Sequence, residues 1–117
     1  MLDLLFVYGT LRSEFDNRYA RLLRKEATLV GRATVSGSIY RVSHYPAFRP
    51  EPAGEVHGEL YRLNRPEATL KALDEYEGPE YERVIVGDAS FNQFWIYRYK
   101  EPLPESLRIS SGDFCAP

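Results

Sequence analysis

The chain has few of the residues from which metal sites and disulfides are built. It contains one cysteine, Cys115, and two histidines, His44 and His57. One cysteine cannot form an internal disulfide, and neither histidine has further ligands at zinc-binding spacing. The sequence therefore predicts no metal site, and a single unpaired thiol favours a reducing compartment.

The chain also lacks an excess of positive charge and a long hydrophobic run. Fifteen Lys and Arg stand against seventeen Asp and Glu, for a net charge of -2. This balance argues against nucleic acid as the main partner, because phosphate binding needs a basic surface. The apolar run Leu4–Val7 follows the acidic Asp3 and is too short for a signal peptide or a membrane span. We therefore expect a cytoplasmic protein with no membrane partner.

What the chain does have is enough apolar and aromatic material for one core. Its 117 residues suit a single domain over residues 1–117, and 44% of them are hydrophobic. Nine residues are tyrosines, which are typical of half-buried strand faces and small-molecule pockets. The pattern of short strands separated by turns predicts an α+β fold. We expect a small, mostly antiparallel β-barrel flanked by helices.

Hydrophobic periodicity predicts five or six strands and two helices. The first helix is expected to begin at a Ser13 cap, and the second at an Asn64 cap with Pro66 in its first turn and an end at Gly78. The predicted strands are Leu4–Tyr8, two within Ala27–Val42 cut by Gly31 and Gly37, Val56–Leu63, Tyr81–Val86 and Phe94–Tyr99. Two connections are also predicted, a proline-rich loop over His44–Pro52 and a polar turn over Gly87–Ser90.

One carboxylate stands out on the second predicted helix. Leu70, Leu73 and Glu77 fall on one face by helical spacing, whereas Glu75 points toward solvent. A carboxylate aligned with an apolar stripe loses hydration, which raises its pKa and makes it a useful proton acceptor near neutral pH. The other interpretation is that Glu77 turns outward or pairs with Arg83 or Arg12. Helix spacing alone leaves both open.

A second feature is the turn over Tyr8, Gly9, Thr10 and Leu11. A buried strand that runs into a glycine turn exposes several backbone N–H groups, which can bind a carboxylate or a phosphate. Gly9 would also let a ligand approach the backbone closely. The simpler interpretation is that Gly9 only permits the turn.

Several short motifs, in order along almost the whole chain, together resemble the gamma-glutamylcyclotransferase-like family, which includes the AIG2-like proteins. Each motif alone is weak, and the combination is specific. The matching segments are Val7–Arg12 (VYGTLR), Gly37–Tyr40 (GSIY), Tyr45–Ala47 (YPA), Val56–Tyr61 (VHGELY), Leu73–Gly78 (LDEYEG), Tyr81–Arg83 (YER) and Ile109–Phe114 (ISSGDF).

The resemblance implies an enzyme that converts a gamma-glutamyl amine or peptide to 5-oxoproline and a free amine, with no metal or organic cofactor. It implies that Glu77 is the general acid/base and that Tyr8, Gly9, Thr10 and Leu11 bind the amino-acid end of the substrate. It places Tyr81 near the pocket as an aromatic contact. The segment Tyr45–Phe48 and the C-terminal tail are expected to wall that pocket.

Two other functions stay open on the sequence alone. The scaffold could serve as a non-catalytic small-molecule binding module, although such a module has no need for a base on an apolar face. A related enzyme could remove a gamma-glutamyl group from a metabolite in the same pocket. The identity of the leaving amine and the oligomeric state have no signal in the sequence.

Overall fold

Strands account for most of the regular structure in the computed structural model, which describes residues 2–42, 44–87 and 92–116. The two α-helices are α1 (Arg18–Glu26) and α2 (Pro66–Glu77), and a short 3-10 helix covers Glu105–Leu107. The strands are β1 (Leu4–Val7), β2 (Ala27–Ser36), β3 (Ser38–Val42), β4 (Tyr45–Arg49), β5 (Glu55–Leu63), β6 (Tyr81–Gly87) and β7 (Gln93–Tyr99).

The α+β class predicted from the sequence is confirmed, but the described strands do not close into a barrel. Five of them form one sheet in the order β2-β5-β1-β7-β6, and β3 and β4 form a separate hairpin. All pairs are antiparallel except β1 with β7, which run parallel with Leu5 opposite Trp95. Strands β2 and β6 are the open edges of the sheet.

The central strand β1 alternates its side chains between two hydrophobic clusters. Leu5 and Val7 face the cluster that contains the buried residues of α1 and α2. Phe6 and Tyr8 face the other cluster, which contains residues of the β3–β4 hairpin. The five-stranded sheet is thus covered by helices on one face and by the hairpin on the other, as period-2 alternation requires.

Gly58 in β5 lies very close to the backbone of β1. A methyl group added there would overlap the Val7 carbonyl oxygen and the Phe6 ring. Because β1 and β5 are adjacent, the missing side chain lets the end of β1 pack tightly against β5.

Both predicted helix caps are wrong. Helix α1 begins after Asn17, whose side-chain oxygen accepts hydrogen bonds from the N–H groups of Tyr19 and Ala20. Ser13 does not cap the helix because its hydroxyl donates to Glu59. Helix α2 begins after Arg65 without a side-chain cap, with Pro66 in its first turn as predicted.

The C-terminal end of α2 lies where the sequence predicts it. The helix ends at Glu77, and Gly78 follows with a φ of 84°, a left-handed value that favours glycine. Because the helix ends at this point, Glu77 is its last residue and does not lie in mid-helix.

Part of the predicted loop over His44–Pro52 is a strand, since β4 covers Tyr45–Arg49, while residues 50–52 have no regular secondary structure. Strand β4 pairs with β3, and Pro46 lies opposite Arg41. Because β4 pairs on one side only, a proline there need not interrupt a ladder on the other side. Of the two predicted strands within Ala27–Val42, Gly37 does separate β2 from β3, while Gly31 lies at a register shift inside β2.

The remaining connection predicted from the sequence, the turn over Gly87–Ser90, lies outside the described residues from position 88 onward. Strands β6 and β7, which it joins, are as predicted. Neither described α-helix is long and apolar enough to cross a membrane.

Candidate active site

The turn after β1 is closed by one backbone hydrogen bond and leaves other donors available. The Arg12 N–H donates to the Gly9 carbonyl at 3.0 Å. No acceptor among the described residues is bonded to the backbone N–H groups of Gly9, Thr10 or Leu11. A turn with unsatisfied N–H groups is a natural site for an anion such as a carboxylate.

Two buried charged residues hold this turn in place from behind. The Glu59 carboxylate accepts hydrogen bonds from both the backbone N–H and the hydroxyl of Ser13, each at 2.6 Å. The Arg12 guanidinium is 2% exposed and pairs with Glu14 and Asp113 at 2.7 Å each. Charge-assisted bonds of this kind make the turn rigid before any ligand arrives.

Gly9 also has a packing role besides the ligand approach predicted from the sequence. A methyl group added at Gly9 would lie 2.5 Å from Cγ and 2.9 Å from Cδ of Pro46. The absent side chain therefore makes room for the Pro46 ring, which brings β4 against the turn. Loop geometry alone could not have indicated this contact.

Glu77 lies where the helix-spacing argument predicts it. Leu70 and Leu73 are buried on the same face of α2, while Glu75 is exposed. Neither arginine proposed as an alternative partner binds Glu77, because Arg83 pairs with Asp74 and Arg12 pairs with Glu14 and Asp113. Within the described ranges, the Glu77 carboxylate has no hydrogen bond or ion pair.

The surroundings of Glu77 favour its protonated form. Burial, and secondarily the negative charge of Asp74, raise its pKa from an ordinary 4.5 to about 7. Its charge also reaches the pocket tyrosines. The pKa values of Tyr8, Tyr81 and Tyr97 are raised chiefly by burial, with the Glu77 charge contributing to each. These phenols therefore stay neutral while Glu77 titrates near neutral pH.

Side-chain hydrogen bonds join α2 to the strands and to the turn. The hydroxyls of Tyr76 and Thr10 lie 2.6 Å apart. The Tyr97 hydroxyl donates to Asp74 at 2.6 Å, and Arg83 donates to the same carboxylate at 2.9 Å and 3.1 Å. The last turn of α2 is thus bonded to the turn after β1 through Tyr76, and to β6 and β7 through Asp74.

Glu77 and the turn line a common hollow, here called the inner hollow. Its volume is about 20 Å³, and its walls are Phe6, Val7, Tyr8, Gly9, Thr10, Leu11, Tyr45, Pro46, Glu77 and Tyr97. The space suffices for one water-sized group. The Tyr8 hydroxyl does not project freely into it, since it donates to the Tyr97 carbonyl at 2.6 Å.

A larger cavity, the outer hollow, adjoins the first one. Its volume is about 300 Å³, and its walls are Val42, Tyr45, Tyr76, Glu77, Glu80, Tyr81 and Tyr99. Tyr45 and Glu77 belong to both hollows. The two spaces therefore adjoin each other at Tyr45 and Glu77.

The structure brings together five of the six predicted site residues and shows what the sequence missed. Tyr8, Gly9, Thr10, Leu11 and Glu77 line the inner hollow, whereas Tyr81 lines the outer one. Pro46 and Tyr45 wall the inner hollow, as expected for that segment. Tyr97 does so as well, although it is not among the site residues predicted from the sequence.

The C-terminal tail, expected as a pocket wall, lines neither hollow. It reaches the back of the turn through Asp113. The part of the chain that the structure describes has no group of three or more His, Cys, Asp or Glu side chains able to hold a metal ion.

The family model described as "Gamma-glutamyl cyclotransferase, AIG2-like" matches residues 5–116. The chain belongs to this family. It is 34% identical over 113 residues to the gamma-glutamylcyclotransferase family protein YtfP of Escherichia coli K12, and the match covers 94% of each chain. The family assignment made from the sequence motifs is therefore confirmed.

Solved structures of the gamma-glutamyl cyclotransferase, AIG2-like family have the same fold. The solution structure of ytfP from E. coli matches with a TM-score of 0.72 at 33% identity, covering 97% of this chain and 96% of that one. A mouse AIG2-like protein matches with a TM-score of 0.75 at 22% identity, covering 96% and 87%. At that lower identity the likeness shows the fold alone.

Proposed function

We propose that the protein is a cyclotransferase that converts a gamma-glutamyl amine or peptide to 5-oxoproline and a free amine. The observation that carries the proposal is the meeting of two groups in one hollow. The Glu77 carboxylate has no partner among the described residues, and the turn beside it offers unbonded N–H groups. Membership of the cyclotransferase family supports the same reaction.

The substrate itself supplies both reacting atoms. Its α-amine nitrogen attacks its γ-carbonyl carbon, a carbon–nitrogen bond forms, and the original γ-amide carbon–nitrogen bond breaks. The α-ammonium gives up two protons during ring closure, and the leaving nitrogen gains two to depart as an ammonium ion. Holding the flexible chain in the folded shape is the main catalytic demand.

Glu77 suits the task of moving those protons. As a carboxylate it takes a proton from the α-ammonium, and as a carboxylic acid it returns one to the leaving nitrogen. A pKa of about 7 lets both forms exist near neutral pH. Because the two hollows meet at this residue, one carboxyl group serves both ends of the transfer.

The turn binds the end of the substrate that does not react. The N–H groups of Gly9, Thr10 and Leu11 hold the α-carboxylate at the inner hollow. The same dipoles stabilise negative charge that develops on the γ-carbonyl oxygen. Tyr81, whose hydroxyl donates to the Pro46 carbonyl at 2.8 Å, forms a fixed wall farther out.

The decisive experiment compares two substitutions on the same helix. Glu77→Gln removes the proton carrier at nearly constant volume, and Glu75→Gln makes the same change at an exposed position two residues away. Each purified protein is incubated with a panel of gamma-glutamyl amines and peptides, and 5-oxoproline is measured. Wild type and Glu75→Gln are expected to release it, and Glu77→Gln to fall by at least about a hundredfold.

Two outcomes would contradict the proposal. Full turnover by Glu77→Gln would remove this residue from the mechanism. Calorimetric binding of panel members without any 5-oxoproline from wild type would favour a non-catalytic binding module on the same scaffold.

A further inference from the structure

The outer hollow differs from the inner one in the chemistry of its walls. Four of its seven residues are tyrosines, namely Tyr45, Tyr76, Tyr81 and Tyr99, and two are the carboxylates Glu77 and Glu80. None of the described residues that line it is Lys, Arg or His. An anion that entered this space would meet no positive partner among the described lining residues.

Three of the four tyrosines are held in place by hydrogen bonds or ring contacts. The Tyr81 hydroxyl is bonded to the Pro46 carbonyl, and the Tyr76 hydroxyl to that of Thr10. Tyr81 and Tyr99 pack edge to face with ring centroids 5.2 Å apart. These contacts fix Tyr76, Tyr81 and Tyr99 before a ligand binds.

The position of the outer hollow assigns it a part of the substrate, if the proposed cyclisation is correct. With the α-carboxylate at the turn and the γ-amide at Glu77, whatever follows the amide nitrogen extends beyond Glu77. The space beyond Glu77 is the outer hollow. At about 300 Å³ it has room for a leaving group of several carbon atoms.

We infer that the outer hollow is a leaving-group subsite selective for charge, which prefers gamma-glutamyl amines with a second, cationic group on the departing amine and disfavours a carboxylate there. Tyrosine ring faces attract an ammonium ion, and Glu80 adds an opposite charge at the rim. A gamma-glutamyl amino acid or peptide would instead present its carboxylate to Glu80 and to uncharged rings. This inference rests on the proposed function and narrows its substrate class.

Three gamma-glutamyl amides with matched five-carbon arms test the subsite. Their leaving groups are pentylamine, diaminopentane and aminopentanoate, which end in a methyl, an ammonium and a carboxylate group. The specificity constant kcat/KM for 5-oxoproline release by wild type is expected to rank ammonium above methyl above carboxylate. The ratio between the two extremes should be about tenfold, as summed from weak charge and cation–π effects.

Substitutions at Glu80 identify the source of the preference. Glu80 is exposed, so its replacement leaves the core intact. Glu80→Gln should reduce the ammonium-to-carboxylate ratio to about threefold, which the rings retain, and Glu80→Lys should bring it to about one or below. Glu75→Gln, an equal loss of charge outside both hollows, should keep the wild-type ratio.

Binding measurements separate failure of the subsite from failure of the cyclisation. Dissociation constants of the three amides for Glu77→Gln, determined by calorimetry, should follow the same order without turnover. Equal release of 5-oxoproline from all three by wild type would overturn the subsite and leave the cyclisation standing. Binding by Glu77→Gln in the expected order, with no 5-oxoproline from wild type, would overturn the cyclisation and leave the subsite standing. Absence of both binding and turnover for every amide would overturn both.

Discussion

The Tyr76 hydroxyl lies 2.6 Å from the Thr10 hydroxyl, so the residue just before Glu77 is bonded directly to the turn that faces it. The two elements are far apart in the chain and meet only through the fold. This bond sets the distance between the acid and the N–H groups. A hydrogen bond in this place has more effect on alignment than on overall stability.

Loss of the Tyr76 hydroxyl should therefore impair catalysis more than folding. Tyr76→Phe is expected to lower kcat/KM for 5-oxoproline formation by about tenfold through misalignment of Glu77. Its free energy of unfolding should fall by only about 1 kcal/mol. Tyr19→Phe is the control. The Tyr19 and Tyr76 ring centroids lie 4.5 Å apart, but the Tyr19 hydroxyl takes no part in the bond between Thr10 and Tyr76. Equal activity of wild type and Tyr76→Phe would show that the bond does not position Glu77.

The titration of Glu77 should depend on Asp74. Burial is the main cause of its pKa of about 7, and the Asp74 charge adds to it. Asp74→Asn removes that charge, so the Glu77 pKa should fall below about 7 and remain above the ordinary 4.5. Carbon NMR of the Glu77 side-chain carboxyl, followed against pH in both proteins, measures this directly. An unchanged midpoint in Asp74→Asn would leave burial as the sole cause.

The raised pKa also predicts how stability depends on pH. A group with a higher pKa in the folded state binds more protons there, so its stabilising effect is present below 4.5 and is lost as the pH rises through about 7. At pH 8 the folded protein must hold a buried carboxylate, whereas Glu77→Gln holds a neutral amide. Glu77→Gln should therefore be more stable than wild type at pH 8 by about 2 kcal/mol, and similar to it at pH 5.

Thermal unfolding monitored by circular dichroism checks this sign. The melting temperature of Glu77→Gln should exceed that of wild type by about 8 °C at pH 8. Glu75→Gln should follow wild type at both pH values because its side chain is exposed. Wild type melting above Glu77→Gln at pH 8 would indicate a stabilising partner for the carboxylate.

A side chain at position 58 should disturb the site through the backbone of β1. The methyl group of Gly58→Ala would overlap the Val7 carbonyl, one residue before the turn. We expect a loss of about 1–3 kcal/mol in unfolding free energy, measured by urea denaturation. In Gly87→Ala the nearest atom is 3.4 Å from the added carbon, so that variant should lose much less. A fully stable Gly58→Ala would show that β1 and β5 can separate without cost.

The sequence predicts those parts of the site that depend on local geometry. Spacing along α2 is enough to place Glu77 with Leu70 and Leu73, because one helix determines all three directions. The strand–glycine turn is likewise a local pattern. Both predictions needed only a few adjacent residues.

The parts that the sequence does not predict depend on contacts between distant segments. Serine commonly caps helices, but the hydroxyl of Ser13 donates to Glu59 in β5 and is not available for a cap. Proline is typical of loops, yet Pro46 lies in a strand because β4 pairs with β3. It also becomes a pocket wall, because the missing side chain of Gly9 leaves room for its ring. Tyr97 joins the site because β7 lies parallel to β1, and no local signal encodes that pairing.

That parallel pairing affects how the protein folds during translation. Tyr8 and Tyr97, joined by a hydrogen bond, are 89 positions apart. Strand β1 can pair with β5 but has one unpaired edge until β7 has been translated. Closing so long a loop is slow. The pocket therefore arises only after β7 has been translated, and a nascent chain stalled before β7 would expose an apolar strand edge to chaperones and to aggregation.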